Sequence, residues 1–123
     1  MKKTLKNARM MEMLHQLQPL LSRRDRIGYI AARNCRMLSN SLVEYETIRR
    51  ELLEKYGEAG TDDKGAPIVQ IRVDSPNFKT FSDELAQFNE MEHEVELMTA
   101  KYEDAVGALS GEEILAVDWM LED

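Results

Sequence analysis

The sequence predicts an α+β fold that is mostly α: a long central helix, three shorter helices and a minimal two-stranded β element. Three observations carry that expectation. From Ser22 to Tyr56 the apolar residues Ile27, Ala31, Cys35, Leu38, Leu42, Tyr45, Ile48, Leu52 and Tyr56 fall on one arc at about 100° per residue, interrupted only by Arg49. Phe78, Phe81, Leu85 and Phe88 repeat at helical spacing and include every phenylalanine of the chain. Between these stretches, Ile68 to Val73 alternates, with Val69, Ile71 and Val73 on one side, as a short strand does.

Taken in order, residues 4–18 read as a first helix, with Met10, Leu14, Leu17 and Leu21 at 3–4 spacing and Leu5 and Met13 beside them. Pro19 disfavours helical geometry at Gln18 and turns the chain. Ser22 is a candidate N-cap for the long helix, with Asp25 placed as in a capping box. No proline breaks the run to Tyr56, Gly28 is its only glycine, and Gly57 supplies the stop. Thirty-odd helical residues span roughly 50 Å, more than a domain of this size is wide. That length requires other segments, or a second copy, along the stripe; the expected homodimer puts Leu42, Tyr45 and Leu52 at its seam.

Glu58 to Pro67 reads as a polar turn, because Asp62 and Asp63 lack the alternating acidic ligands of a calcium loop. Ser75-Pro76 opens the phenylalanine helix. Val95 and Leu97, set between glutamates, suggest a second short strand. Ser110-Gly-Glu-Glu113 is a capping-box pattern starting a last helix with Ile114, Val117 and Leu121 inward and Trp119 alongside.

At 123 residues the chain is expected to form a single domain over 1–123. With 43% hydrophobic and 32% charged residues it has the make-up of a soluble globular protein, and no apolar run approaches the length of a membrane span. The start of the chain lacks the apolar stretch of a secretory signal, and the single Cys35 suits a reducing compartment. A cytoplasmic location follows as the expectation. The net charge of −7 is divided: residues 1–57 are basic (12 Lys and Arg against 6 Asp and Glu), residues 58–123 acidic (4 against 17). Such polarity favours pairing of the two halves with each other or with something of opposite sign.

The order of features is similar to that of a known family. Arg26-Ile-Gly-Tyr-Ile-Ala-Ala-Arg-Asn34 precedes a charged amphipathic run ending Glu51-Leu-Leu-Glu-Lys-Tyr-Gly57; a Lys64-Gly65 turn, a strand, Phe81-Ser-Asp-Glu-Leu85 and Glu94-Val-Glu-Leu97 follow, and a short helix closes with acidic residues. From about Leu14 to its end the chain resembles small phage and prophage proteins of Firmicutes-type siphophages, catalogued only as a domain of unknown function. The resemblance implies a phage origin and an α-rich fold, and it transfers no catalytic residue.

Of the chemistry-bearing patterns, the sharpest is a pair of Glu-x-x-His spacings, Glu12 with His15 and Glu90 with His93. On helices, two such motifs and two further glutamates build a carboxylate-bridged di-metal site; solvent-facing or capping histidines are the plainer reading. Cys35 lies in the apolar arc, where a thiol behaves as a small hydrophobe, and the glycines lack phosphate-loop spacing. The expectation is a non-enzyme with no cofactor and no metal. Arg26, Arg33 and Arg36 project opposite the apolar stripe with Tyr29 between them, and Arg23 and Arg24 precede them. Arginine with an interleaved aromatic suits phosphate contact, but overall acidity counts against nucleic acid, and a solvated helix back is the plainer reading. Glu90, Glu92, Glu94 and Glu96, then Glu103 and Asp104, offer the opposite surface, one that could imitate nucleic acid, although acidic faces are ordinary solubility devices. The function expected is therefore a phage or prophage accessory protein acting by protein–protein contact, with itself as a homodimer or with a host or phage protein. The alternatives are an anti-defence inhibitor that blocks a host nucleic-acid enzyme with its acidic face and, third, a di-metal carboxylate protein.

Overall fold

The computed structural model describes residues Met1–Asp123. The fold is α+β and mostly helical. In chain order it comprises β1 (Lys2–Lys6), α1 (Asn7–Leu17), a 3-10 turn at Gln18–Leu20, α2 (Arg26–Ser41), α3 (Val43–Tyr56), β2 (Glu58–Thr61), β3 (Pro67–Gln70), α4 (Phe78–Asn89), β4 (Glu92–Glu96), β5 (Ala100–Lys101), the single turn α5 (Tyr102–Ala105), α6 (Gly111–Ala116), a 3-10 turn at Asp118–Met120 and β6 (Leu121–Glu122). No helix is long and apolar enough to cross a membrane.

The stretch from Ser22 to Tyr56 is not one helix. Residues 22–25 precede α2, and the run breaks at Leu42, whose φ of −100° and ψ of 1° leave helical geometry while its N–H bonds back only to the Ser39 carbonyl at 3.1 Å. The break follows Ser39, Asn40 and Ser41, three residues of low helix propensity in succession. The apolar spacing runs through the break without changing phase, which hides it from periodicity. Met1–Leu42 with Glu92–Asp123 form one compact unit and Val43–Met91 a second.

In the first unit the core is built from Met10, Met13 and Leu17 of α1, Leu20, and Ile27, Ile30, Ala31, Leu38 and Leu42 of the α2 region, closed by Val95, Leu97, Ala105, Val117 and Met120. Each fully buried Leu, Ile or Met side chain contributes about 1.5–3 kcal/mol. The first helix, expected over residues 4–18, begins only at Asn7; residues 2–6 form β1, antiparallel to β4 with Lys2 opposite Glu96, Thr4 opposite Glu94 and Lys6 opposite Glu92. Alternation puts those six residues on the exposed face, with Leu5 and Val95 turned inward. A second, parallel pair joins β5 to β6. The α6 capping box forms as its sequence predicts: the Ser110 N–H donates to Glu113 Oε1 at 2.9 Å and the Glu113 N–H to Ser110 Oγ at 3.1 Å.

The second unit holds α3, a β2–β3 hairpin and α4. Glu58–Thr61, read as turn, is the first strand of that hairpin, with Glu58 opposite Gln70 and Thr61 opposite Pro67. The turn itself is Asp62–Ala66: Asp62 Oδ1 accepts from the Lys64 and Ala66 N–H groups, both at 2.9 Å, and Gly65 takes φ +80°. Ile68–Gln70 and Val95 therefore belong to different sheets and do not pair with each other. The phenylalanine helix starts at Phe78, two residues after Pro76, and buries Phe81 most deeply. Two tyrosines of α3 tie it to α4, Tyr45 Oη to Asn89 Oδ1 at 2.5 Å and Tyr56 Oη to Glu84 Oε1 at 2.6 Å.

Candidate functional site

The first unit carries its candidate site on the outward face of α2. Ile27, Ile30, Ala31, Asn34 and Leu38 occupy the buried arc of this helix, which leaves Arg26, Tyr29, Ala32, Arg33 and Arg36 to project the other way, all exposed. The helix is capped one turn later than the sequence suggests. Asp25, not Ser22, is the N-cap: its Oδ1 accepts from the Gly28 N–H at 3.1 Å. Arg23 grips the same carboxylate in a fork, Nε to Oδ2 at 3.1 Å and Nη2 to Oδ2 at 2.5 Å. That fork, followed by the Gly28 N–H, holds the Asp25 carboxyl below its ordinary value. Arg23 is thus committed to the cap. Arg26 reaches Asp104 of α5, Nη1 to Oδ2, at 3.7 Å.

Arg33 and Arg36 make no ion pair. With Tyr29 and Ala32 they line a shallow depression of about 240 Å³. Tyr29 keeps 62% of its surface exposed, so its ring stands out from the helix as one wall. Ala32 is the residue that reading the sequence missed here. A small side chain on a polar helix face carries no signal of its own; only its place between Tyr29 and Arg36 brings it into the depression.

The dimer seam expected along the long stripe is otherwise employed. Leu42 is fully buried and Tyr45 is 7% exposed within the monomer, while Leu52 is half-buried. Leu42 and Tyr45 are core residues, not interaction residues.

The Glu-x-x-His geometry does not form a repeated helical motif. Glu12 and His15 both lie exposed on α1, but Glu90 is the C-cap of α4, in the second unit, and His93 sits in β4, in the first, opposite Leu5. A strand residue cannot share a helix face with its i−3 neighbour. No three His, Cys, Asp or Glu side chains converge on a point that could hold a metal ion. Cys35 is half-buried in α2, and that burial pushes its thiol up, away from the thiolate that nucleophilic chemistry needs.

The acidic row is real as a line: Glu92, Glu94 and Glu96 share the exposed face of β4. Across the ribbon it meets Lys6 and Lys2, with Lys2 Nζ 3.6 Å from Glu94 and the Met1 ammonium 2.9 Å from Glu96. The carboxylates are opposed by the chain's own cations.

Compared with protein families, with curated proteins and with solved structures, the chain matches none.

Proposed function

We propose that the protein acts by protein–protein contact, without catalysis, and that the outward face of α2 is the surface it uses. The observation that carries this reading is the depression between Tyr29, Ala32, Arg33 and Arg36, where an exposed aromatic ring stands beside two arginines that make no ion pair. Arginine and tyrosine are the residue types most enriched where binding energy concentrates in interfaces. The resemblance to phage and prophage proteins supports placing this contact in an accessory role, with a host or phage protein as partner. Self-association through the helical stripe is not part of the proposal, since Leu42 and Tyr45 are buried within the chain. A nucleic-acid mimic that blocks a host enzyme is supported less, because the β4 glutamates face Lys2 and Lys6.

Affinity capture from phage-infected or lysogenic bacteria tests the reading. The wild type should retain a protein in stoichiometric amount that Arg33→Glu with Arg36→Glu loses. Equal retention by the two forms would refute the role of the α2 face.

A further inference from the structure

The residues around the depression are spaced i, i+3, i+4 and i+7: Tyr29, Ala32, Arg33 and Arg36. Four residues in that arrangement form the diamond-shaped hole into which one helix receives a side chain of another. Around it the exposed face continues as Arg26, Tyr29, Arg33, Arg36 and Asn40, spaced 3, 4, 3 and 4. This is the seam spacing of a helix that pairs with a helix, written in polar residues. Ala32, the smallest of the four, leaves the hole open. A longer side chain there would level it.

Resting on the α2 reading above, we propose that this notch takes an acidic α-helix of another protein, with one glutamate seated over Ala32 and its carboxylate between the Arg33 and Arg36 guanidinium groups. The shape selects a helix. An extended segment that binds by strand addition needs an open sheet edge, and α2 has its backbone groups already paired within the helix. The charge selects an acidic one: Arg33 and Arg36 offer ten N–H donors between them, which suit carboxylates. Tyr29 and the arginine methylenes supply the apolar contact that a glutamate stem can cover.

Nucleic acid is a poorer fit to the same face. Its affinity grows with the number of phosphates neutralised, and Arg23 is bound to Asp25 and Arg26 to Asp104, which leaves two arginines free in the depression.

The test uses the full chain and a designed stapled helix of about three heptads with glutamate at its seam positions, titrated at about 150 mM salt. An isomer with two prolines, which cannot form the helix, and a short DNA duplex are titrated beside it. Amide chemical shifts locate binding, and anisotropy measures it. The stapled helix should shift the amides of residues 26–40, and the proline isomer should bind at least about tenfold more weakly. Ala32→Leu, at an exposed position and checked for unchanged circular dichroism, should weaken the helix about tenfold, because it fills the notch without touching a charge. Absence of shifts in α2, equal binding of the proline isomer, or indifference to Ala32→Leu would overturn the helix-in-notch proposal. So would tighter binding of the DNA duplex, or self-association of the chain in place of peptide binding. The two readings fail differently in cellular capture. A partner lost with Arg33→Glu and Arg36→Glu but kept with Ala32→Leu leaves the α2 face standing and removes the helix, whereas a partner kept by both variants removes the face itself.

Discussion

The Asn34 carboxamide pairs at two points with the backbone of Met98: its Nδ2 donates to the Met98 carbonyl at 3.0 Å, and its Oδ1 accepts from the Met98 N–H at 2.8 Å. Asn34 is wholly buried in the middle of the apolar arc of α2. Met98 lies between the end of β4 and the start of β5, where the chain has left one strand pair and not yet entered the next. The side chain therefore stands in for the missing neighbouring strand, satisfying one donor and one acceptor of a part-buried backbone. It also fixes α2 against the segment that follows β4, and so fixes which face of α2 points outward.

Replacing Asn34 with Ala should leave both Met98 groups without this partner and lower stability by about 1–3 kcal/mol. Asn34→Asp should recover little, because a carboxylate can accept from the N–H but has no proton for the carbonyl. Urea unfolding of the three forms measures this. An Asp variant as stable as wild type would show that the Nδ2 bond contributes nothing.

Gly28 makes a second prediction, one that runs against helix propensity. Alanine in place of glycine inside a helix ordinarily gains up to about 1 kcal/mol. Here a Cβ would lie 2.2 Å from the Arg23 carbonyl oxygen, a backbone atom that cannot turn aside. Gly28→Ala should therefore destabilise the protein by about 1–3 kcal/mol through forced displacement of the Arg23–Asp25 cap. A variant with an unchanged or raised melting temperature would show that the cap yields without cost.

What could be read from the sequence was local. The phenylalanine stripe of α4 and the Ser110–Glu113 box depend on residues within one or two turns of each other, and both form. The polar arc Arg26, Tyr29, Arg33 and Arg36 could be placed opposite the core for the same reason. β1 could not be seen, because Lys2–Lys6 has little strand character and its partner, Glu92–Glu96, lies some ninety residues away. The break at Leu42 falls after Ser39-Asn40-Ser41 but was overruled by a stripe whose spacing passes through it unchanged. The burial of Asn34 was not read from the sequence at all. Only the fold shows that the Met98 backbone is what it answers.

The Asp25 carboxyl gives stability a direction in pH. The fork from Arg23, and after it the Gly28 N–H, lowers its folded-state value below the ordinary 3.8. A depressed carboxyl contributes stability that is complete above the unfolded value and is lost as pH falls through the folded one. The contribution should thus hold at neutral pH and decline as pH drops below about 4. Asp25→Asn keeps an oxygen for Gly28 but loses the ion pair, so its stability should depend less on pH through that interval. Parallel curves for wild type and variant would mean that Asp25 does not report the cap.

The arginines of α2 separate by what they touch, and salt should reveal it. Arg26 lies 3.7 Å from Asp104, with 75% and 31% of the two side chains exposed. Such a pair contributes at most about 1 kcal/mol. Arg26→Glu would replace attraction with repulsion at this point, so the loss should be measurable at low ionic strength. It should fade at 1 M salt, where screening acts within roughly 3 Å. Arg33 and Arg36 make no ion pair that substitution could remove. Changing both to Glu should leave the urea midpoint where it is at either salt concentration, while removing whatever the face binds. That combination, neutral for folding and decisive for binding, is what an outward recognition surface requires. If the Arg33 and Arg36 variant loses as much low-salt stability as Arg26→Glu, the two arginines serve the chain's own acidic half, and the depression beside Tyr29 is a by-product of that pairing.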